Sequence, residues 1–195
     1  LQANKQTPAR NATHSDAGGG EILRKIAEEV RLADIKGKKI QTVLKEMSAS
    51  LNSQSDGVAI AAPQIGYSLR IFVVSGKIFS KDFARDKEDP TREKGGIPAE
   101  GVRKKIKDLV FINPKISKLS REKGWVPEGC LSVRWLYGQT FRSKKATITA
   151  YDENGKKFVR GASGLLAQIF QHETDHLNGI LFIDHAKDIK EELPK

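Results

Sequence analysis

At 195 residues, 38% apolar and 30% charged, the chain has the size and composition of one soluble globular domain with a real core, a little short of two. No stretch approaches the ~20 apolar residues of a membrane span or resembles a signal-peptide core, and the single cysteine, Cys130, excludes an internal disulfide and fits a reducing compartment. The formal net charge is +10, but neither a zinc finger nor an aromatic-rich RNA motif accompanies it, so no specific nucleic-acid motif is read and the basic surface is taken as solvated.

Residues 1–20 are polar, end in "GGG" and read as a flexible lead-in rather than a folded element. "EILRKIAEEVRLADI" (21–35) is a short helical candidate with no clear end. "GKKIQTVLKEMSASLNSQ" (37–54) repeats Ile40, Val43, Leu44, Met47 and Leu51 at helical spacing and predicts an amphipathic helix. The run at 71–74 reads as a buried strand. Residues 77–108 carry ten basic and seven acidic residues, two prolines and a Gly-Gly pair without an apolar period, which predicts a surface insertion with a short helix at 99–107. "LVFINPKISKL" (109–119) predicts two strand pieces broken at Pro114, since proline cannot donate to a sheet ladder.

"ATITAYDENGKKFVRG" (146–161) alternates and turns at Asn154-Gly155, the pattern of a hairpin. "ASGLLAQIFQHETDHLNG" (162–179) predicts a long apolar helix stopped by Gly179. Helices, then strands, then a helix point to an α+β fold, with antiparallel sheet packed on the C-terminal helix. One domain over 21–186 and a short charged tail at 187–195 complete the expected organisation.

Within the last helix, "HETDH" puts His172 and His176 four residues apart on one face, with Glu173 between them. This HExxH spacing suits two imidazoles on one metal ion with the glutamate as general base. A tetrahedral hydrolytic site needs a third protein ligand. The metzincin extension fails, because Phe182 stands where its third histidine belongs. A thermolysin-like glutamate would lie past the end of the chain, and Glu191 and Glu192 are too near. The remaining soft ligand is Cys130 in "EGCLS", which completes a chemically sound Cys-His₂ set for zinc or ferrous iron.

"GVAIAAPQ" (57–64), "EGCLS" (128–132) and "QHETDH" (171–176) resemble, in order and separation, the three motifs of the peptide deformylase family, and the similarity runs from about Ile22 to Asp184. The resemblance implies removal of the N-formyl group from the initiator methionine of new polypeptides. Its cofactor would be one divalent ion, ferrous iron in the cell, with zinc, nickel or cobalt in purified protein. The ion would lower the pKa of a bound water, and Glu173 would move protons. By resemblance, the side-chain amide of Gln64 and the backbone N–H of Leu131 would stabilise the formyl oxygen. Glu128 and Arg142 would be supporting polar groups. Asp175 faces away from the metal and joins that outer set.

The resemblance also implies a substrate extended along the backbone of Gly57, Val58, Ala59, Ile60 and Gly129, like an added strand. Val58, Leu165 and Ile169 are candidates to line a pocket for its methionine. Two departures stand out: Ala59 replaces a family glycine, and "RWLYG" (134–138) puts Trp135 and Tyr137 near the rim. The partners are formylated nascent chains, with a possible ribosome surface contact and no membrane. The expected compartment is the cytoplasm, or a mitochondrion or plastid, since the sequence begins at Leu1 rather than Met. A metallopeptidase and a non-catalytic binder of nascent chains or ribosomes remain the alternatives.

Overall fold

Alternation along two short strands sets the layering. In the computed structural model, which describes residues 19–80, 83 and 106–193, the chain starts with helices α1 (Gly19–Leu23) and α2 (Lys38–Asn52). Strands β1 (Ala59–Ala61), β2 (Ile71–Val74), β3 (Leu109–Leu119), β4 (Lys123–Gly129), β5 (Leu136–Ser143), β6 (Lys145–Tyr151) and β7 (Lys157–Ser163) follow. Helix α3 (Gly164–Leu177) and strand β8 (Lys187–Glu191) end the described chain. The lead-in up to residue 18 and nearly all of the expected insertion, including 99–105 of its short helix, lie outside the described residues.

A five-stranded sheet runs β1-β2-β3-β6-β7 and a three-stranded sheet runs β4-β5-β8, with every pair antiparallel. Successive side chains on a strand point to opposite faces. Ile60, Ile71, Val73 and Ile112 therefore meet Ile40, Val43, Leu44, Met47 and Leu51 of α2 on one side. Ala59, Ala61, Phe72, Val74 and Phe111 meet Ala167, Ile169, Phe170 and Leu177 of α3 on the other. Phe72 stacks on Phe111 with ring centroids 4.5 Å apart, and Phe170 closes on Phe111 edge-on at 5.2 Å. Because helices cover both faces, β2 reads as an unbroken apolar run. The antiparallel α+β architecture with a C-terminal helix is as expected, and no helix among the described residues is long and apolar enough to cross a membrane.

Three local expectations change. The segment 21–35 is helical only through Leu23, apart from a 3₁₀ turn at Leu32–Asp34. Its backbone finds distant partners instead: Ala27 N–H donates to Leu177 O at 2.9 Å, and Arg70 N–H donates to Glu28 O at 2.7 Å. The Asn113 side chain accepts from Val30 N–H at 2.8 Å and donates to Val30 O at 2.7 Å. These bonds satisfy the groups a helix would have used. Second, β3 is one strand rather than two. Pro114 sits in a register shift between Ile112 and Lys115, where a missing N–H costs no ladder bond, beside Asn113 at φ 49°. Third, the charged C-terminal stretch contributes β8 against β5. The hairpin at Asn154-Gly155 forms as expected: Asp152 Oδ1 accepts from the Asn154 and Lys156 N–H groups, and Gly155 takes φ 75°.

Candidate active site

Helix α3 presents His172, Glu173 and His176 toward the gap between the two sheets, one turn of helix apart as the spacing requires. Cys130 enters from the opposite side, in the loop that leaves β4, where its Sγ accepts from Ser132 N–H at 3.4 Å. Sγ stands 3.2 Å from His176 Nε2, and the ligand atoms of Cys130, His172 and His176 all lie within 4.8 Å of one another. Ligands on ~2.0–2.3 Å arms about a tetrahedral ion stand roughly 3.5 Å apart, so this donor set fits one divalent cation. His176 Nδ1 and Glu173 Oε2 are buried without a hydrogen-bond partner among the described residues. Burial alone raises the Cys130 thiol, but the charge and hydrogen bonds of His176 and His172 outweigh it. The thiol therefore ionises well below its ordinary value, as a metal-binding thiolate must.

Gln64 follows β1 in a 3₁₀ turn, Ala62–Ile65, which Pro63 pre-sets and Gly66 ends at φ 90°. Its Oε1 accepts from Ala61 N–H at 2.7 Å, which turns the amide nitrogen toward Ser132 Oγ at 3.1 Å and Cys130 Sγ at 3.6 Å. The side chain is thus locked beside the cysteine.

A buried polar chain supports His172. Arg142 grips Glu128 with Nε at 2.8 Å and a terminal nitrogen at 2.9 Å, and its other terminal nitrogen reaches Asp175 at 2.6 Å. Glu128 Oε2 in turn faces His172 Nδ1 at 3.1 Å, which leaves Nε2 of that ring for the cysteine side. Burial works against the Glu128 charge, but the hydrogen bonds and charges of His172 and Arg142 prevail and hold its carboxyl well below the usual carboxylate range. Glu173 has no such cation clamp. Burial, the largest influence on it, outweighs the nearby imidazoles and pushes its carboxyl up to about 7.

These groups border a cleft of about 290 Å³. Gly57, Val58, Ala59, Gly129, Leu131, Leu165 and Ile169 line it with Gln64, Glu128, Cys130, His172 and Glu173. Ile60 does not. Its side chain points to the α2 face, because alternate strand residues face opposite sides, so the expected contact at Ile60 would come from its backbone. Trp135 and Tyr137 do reach the cleft wall, together with Arg134 and Leu136. Sequence reasoning passed over Ser132, which anchors Gln64, and Gln168, whose Nε2 donates to Pro127 O at 2.8 Å. Ser132 lies within "EGCLS", and Gln168 lies one turn before His172, so position was their only signal.

The family model for polypeptide deformylase matches residues 15–192, nearly the whole chain. The chain belongs to the polypeptide deformylase family. A peptide deformylase of Borreliella burgdorferi is 38% identical over 168 residues, covering 86% of this chain and 84% of that protein. Among solved deformylases, a Met-Ala-Ser-bound class I type b enzyme from Acinetobacter baumannii is similar with a TM-score of 0.71 at 28% identity. That match covers 92% of this chain and 98% of the other. A deformylase of Synechococcus elongatus in complex with actinonin also gives 0.71, at 27% identity, over 96% of this chain and 83% of the other. Deformylases remove the N-formyl group from nascent peptides.

Against the family pattern, Ala59 causes no backbone strain. The only non-glycine residues at positive φ among those described are Asn113 and Asp188, so a deformylase glycine at 59 is not required for a left-handed turn.

Proposed function

We propose that the chain is a metal-dependent hydrolase that removes the N-formyl group from the initiator methionine of nascent polypeptides and releases formate. The observation that carries this reading is the convergence of Cys130, His172 and His176 within 4.8 Å, beside a Glu173 carboxylate oxygen that no other described group satisfies. A divalent ion held by those three residues, ferrous iron in the cell and zinc, nickel or cobalt as substitutes, supplies a Lewis acid that makes water a nucleophile near neutral pH.

The chain's own residues do the rest. Glu173 accepts the proton of the attacking water as the new C–O bond forms. It then delivers a proton to the amine nitrogen as the C–N bond breaks, so formate leaves and a free N-terminus remains. A carboxylate held against the reacting atoms can accept a proton and return it within one turnover. The formyl oxygen gains negative charge and receives hydrogen bonds from the Gln64 amide and the Leu131 N–H. Gln64 is pre-aimed by its bonds to Ala61 and Ser132, so little reorganisation is needed. Glu128, Arg142 and Asp175 keep His172 in one tautomer and orientation. The peptide lies extended along Gly57–Ala59 and Gly129, with its methionine side chain among Val58, Leu165 and Ile169. In this reading the protein works where formylated chains are made, in the cytoplasm of a bacterium-like cell or in an organelle, and its +10 charge supports contact with the ribosome surface.

Formate release from formyl-Met-Ala-Ser tests the proposal. Release that a chelator abolishes and ferrous iron restores is expected. A metal-loaded protein that releases no formate, or that digests casein instead, would overturn it.

A further inference from the structure

We propose that Arg134 and Asp56 form a clasp across one mouth of the cleft, and that this clasp positions the substrate peptide. The two residues come from different halves of the molecule. Asp56 lies in the loop between α2 and β1, on the side of the five-stranded sheet. Arg134 lies in the loop between β4 and β5, on the side of the three-stranded sheet. The guanidinium bridges them as a fork, with one terminal nitrogen 3.1 Å from Asp56 Oδ2 and the other 3.3 Å from Oδ1. The second nitrogen also donates to Gln54 Oε1 at 2.7 Å. Such a planar, two-pronged pairing fixes direction as well as distance, which a lysine cannot do.

Both ends of the clasp are braced. Lys77 Nζ donates to Ser55 O at 2.9 Å, tying down the Asp56 loop from below. A Cβ on Gly57 would stand 3.1 Å from both Gln54 Cβ and Leu51 Cδ1, so that loop is already packed against α2. On the other side, the guanidinium carbon lies 4.8 Å from the centre of the Trp135 ring, a cation–π contact that seats the aromatic. Asp56, Gly57, Arg134, Trp135 and Leu136 all line the cleft that holds Glu173. The clasp therefore sets the separation of the two cleft walls and the placement of the Trp135 face. Its hydrogen bonds go to none of Cys130, His172, Glu173 or His176. It follows that the clasp acts on how the peptide is held and leaves the bond-breaking step alone. It also accounts for the unusual "RWLYG" segment: the arginine fastens the loop and the tryptophan supplies the wall.

The inference rests on the deformylase reading for its kinetic arm, and a binding arm that needs no turnover keeps the two separable. Kinetics on formyl-Met-Ala-Ser and the calorimetric Kd of Met-Ala-Ser would be measured on metal-loaded wild type, Arg134→Ala, Asp56→Ala, the double variant and the charge-swapped pair Arg134→Asp/Asp56→Arg. Each single variant is expected to raise KM and Kd roughly two- to fivefold, the range of a partly exposed ion pair, with kcat and metal content unchanged. The double variant should be no worse than either single one, and the swapped pair should recover part of the loss. Asp56→Ala with unchanged KM and Kd would overturn the clasp, since Arg134 would then act without its partner. A fall in kcat or metal content at constant Kd would overturn it as well. Wild type that binds Met-Ala-Ser yet releases no formate would instead sink the deformylase reading, and the Kd series would still judge the clasp.

Discussion

Glu173 and Cys130 face the same small space, and their substitution should separate proton transfer from metal binding. Cys130→Ser replaces a soft thiolate with a poor hydroxyl ligand, so metal content and activity are expected to fall together. Glu173→Gln keeps the shape but cannot accept a proton. It is expected to retain about one metal per chain and lose at least ~10²–10⁴-fold in kcat. Loss of metal in that variant would put Glu173 among the ligands. The raised Glu173 carboxyl also makes a stability prediction for metal-free protein. Between its unfolded value of 4.5 and its folded value of about 7, the folded state binds the extra proton, so this contribution is fully present below 4.5 and disappears as pH rises through about 7. Urea titrations of metal-stripped wild type and Glu173→Gln are expected to diverge over that window by something on the order of 3 kcal/mol, with wild type losing ground at the higher pH. At position 59, the absence of strain leaves only crowding by the methyl. Ala59→Gly is expected to raise kcat/KM for formyl-Met peptides at a stability cost of roughly 0.5–1 kcal/mol; equal or poorer kinetics would show that the cleft accommodates alanine.

Among the elements, the segment between α1 and α2 depends on one side chain of β3. Asn113 accepts from Val30 N–H and donates to Val30 O, and it does so from a left-handed backbone position that asparagine tolerates better than most residues. Asn113→Ala would leave both Val30 groups unpaired and put a residue that tolerates left-handed backbone less well at φ 49°. A loss of about 2–4 kcal/mol is expected in chemical denaturation. A loss below half a kcal/mol would mean that water replaces the side chain at little cost. The contrast with α2 is informative: that helix satisfies its own backbone ladder, and its apolar stripe packs on β1 and β2.

For the molecule as a whole, the +10 charge concerns partners rather than fold. If it helps the enzyme dwell on ribosomes, co-sedimentation at low salt should weaken steeply as salt is raised. No co-sedimentation even at low salt would remove that role. The salt arm also distinguishes field-driven contact from an apolar patch. The exposed Trp125 and Phe141, whose rings pack 5.2 Å apart on the three-stranded sheet, would hold a partner with little salt dependence.

What the sequence determined by itself was local or periodic. The α2 stripe, the β2 run, the hairpin at Asn154-Gly155 and the i, i+4 histidines of α3 all follow from spacing along a single element, where geometry is fixed by backbone periodicity. The metal candidates could be chosen from donor chemistry, because the chain offers one cysteine and excludes the other third ligands. Tertiary structure decided whatever depends on partners distant in sequence. The segment 27–30 leaves the helix because Leu177, Ser68, Arg70 and Asn113 supply its hydrogen bonds. Pro114 interrupts no strand because a bulge absorbs it. Ile60 is turned from the cleft by a strand face that only sheet pairing defines. Gln64 is aimed by Ser132, and Arg134 spans to Asp56, across 68 and 78 residues of chain. Bonds of that kind form only after two separately stabilised layers close on each other, and no local pattern records them.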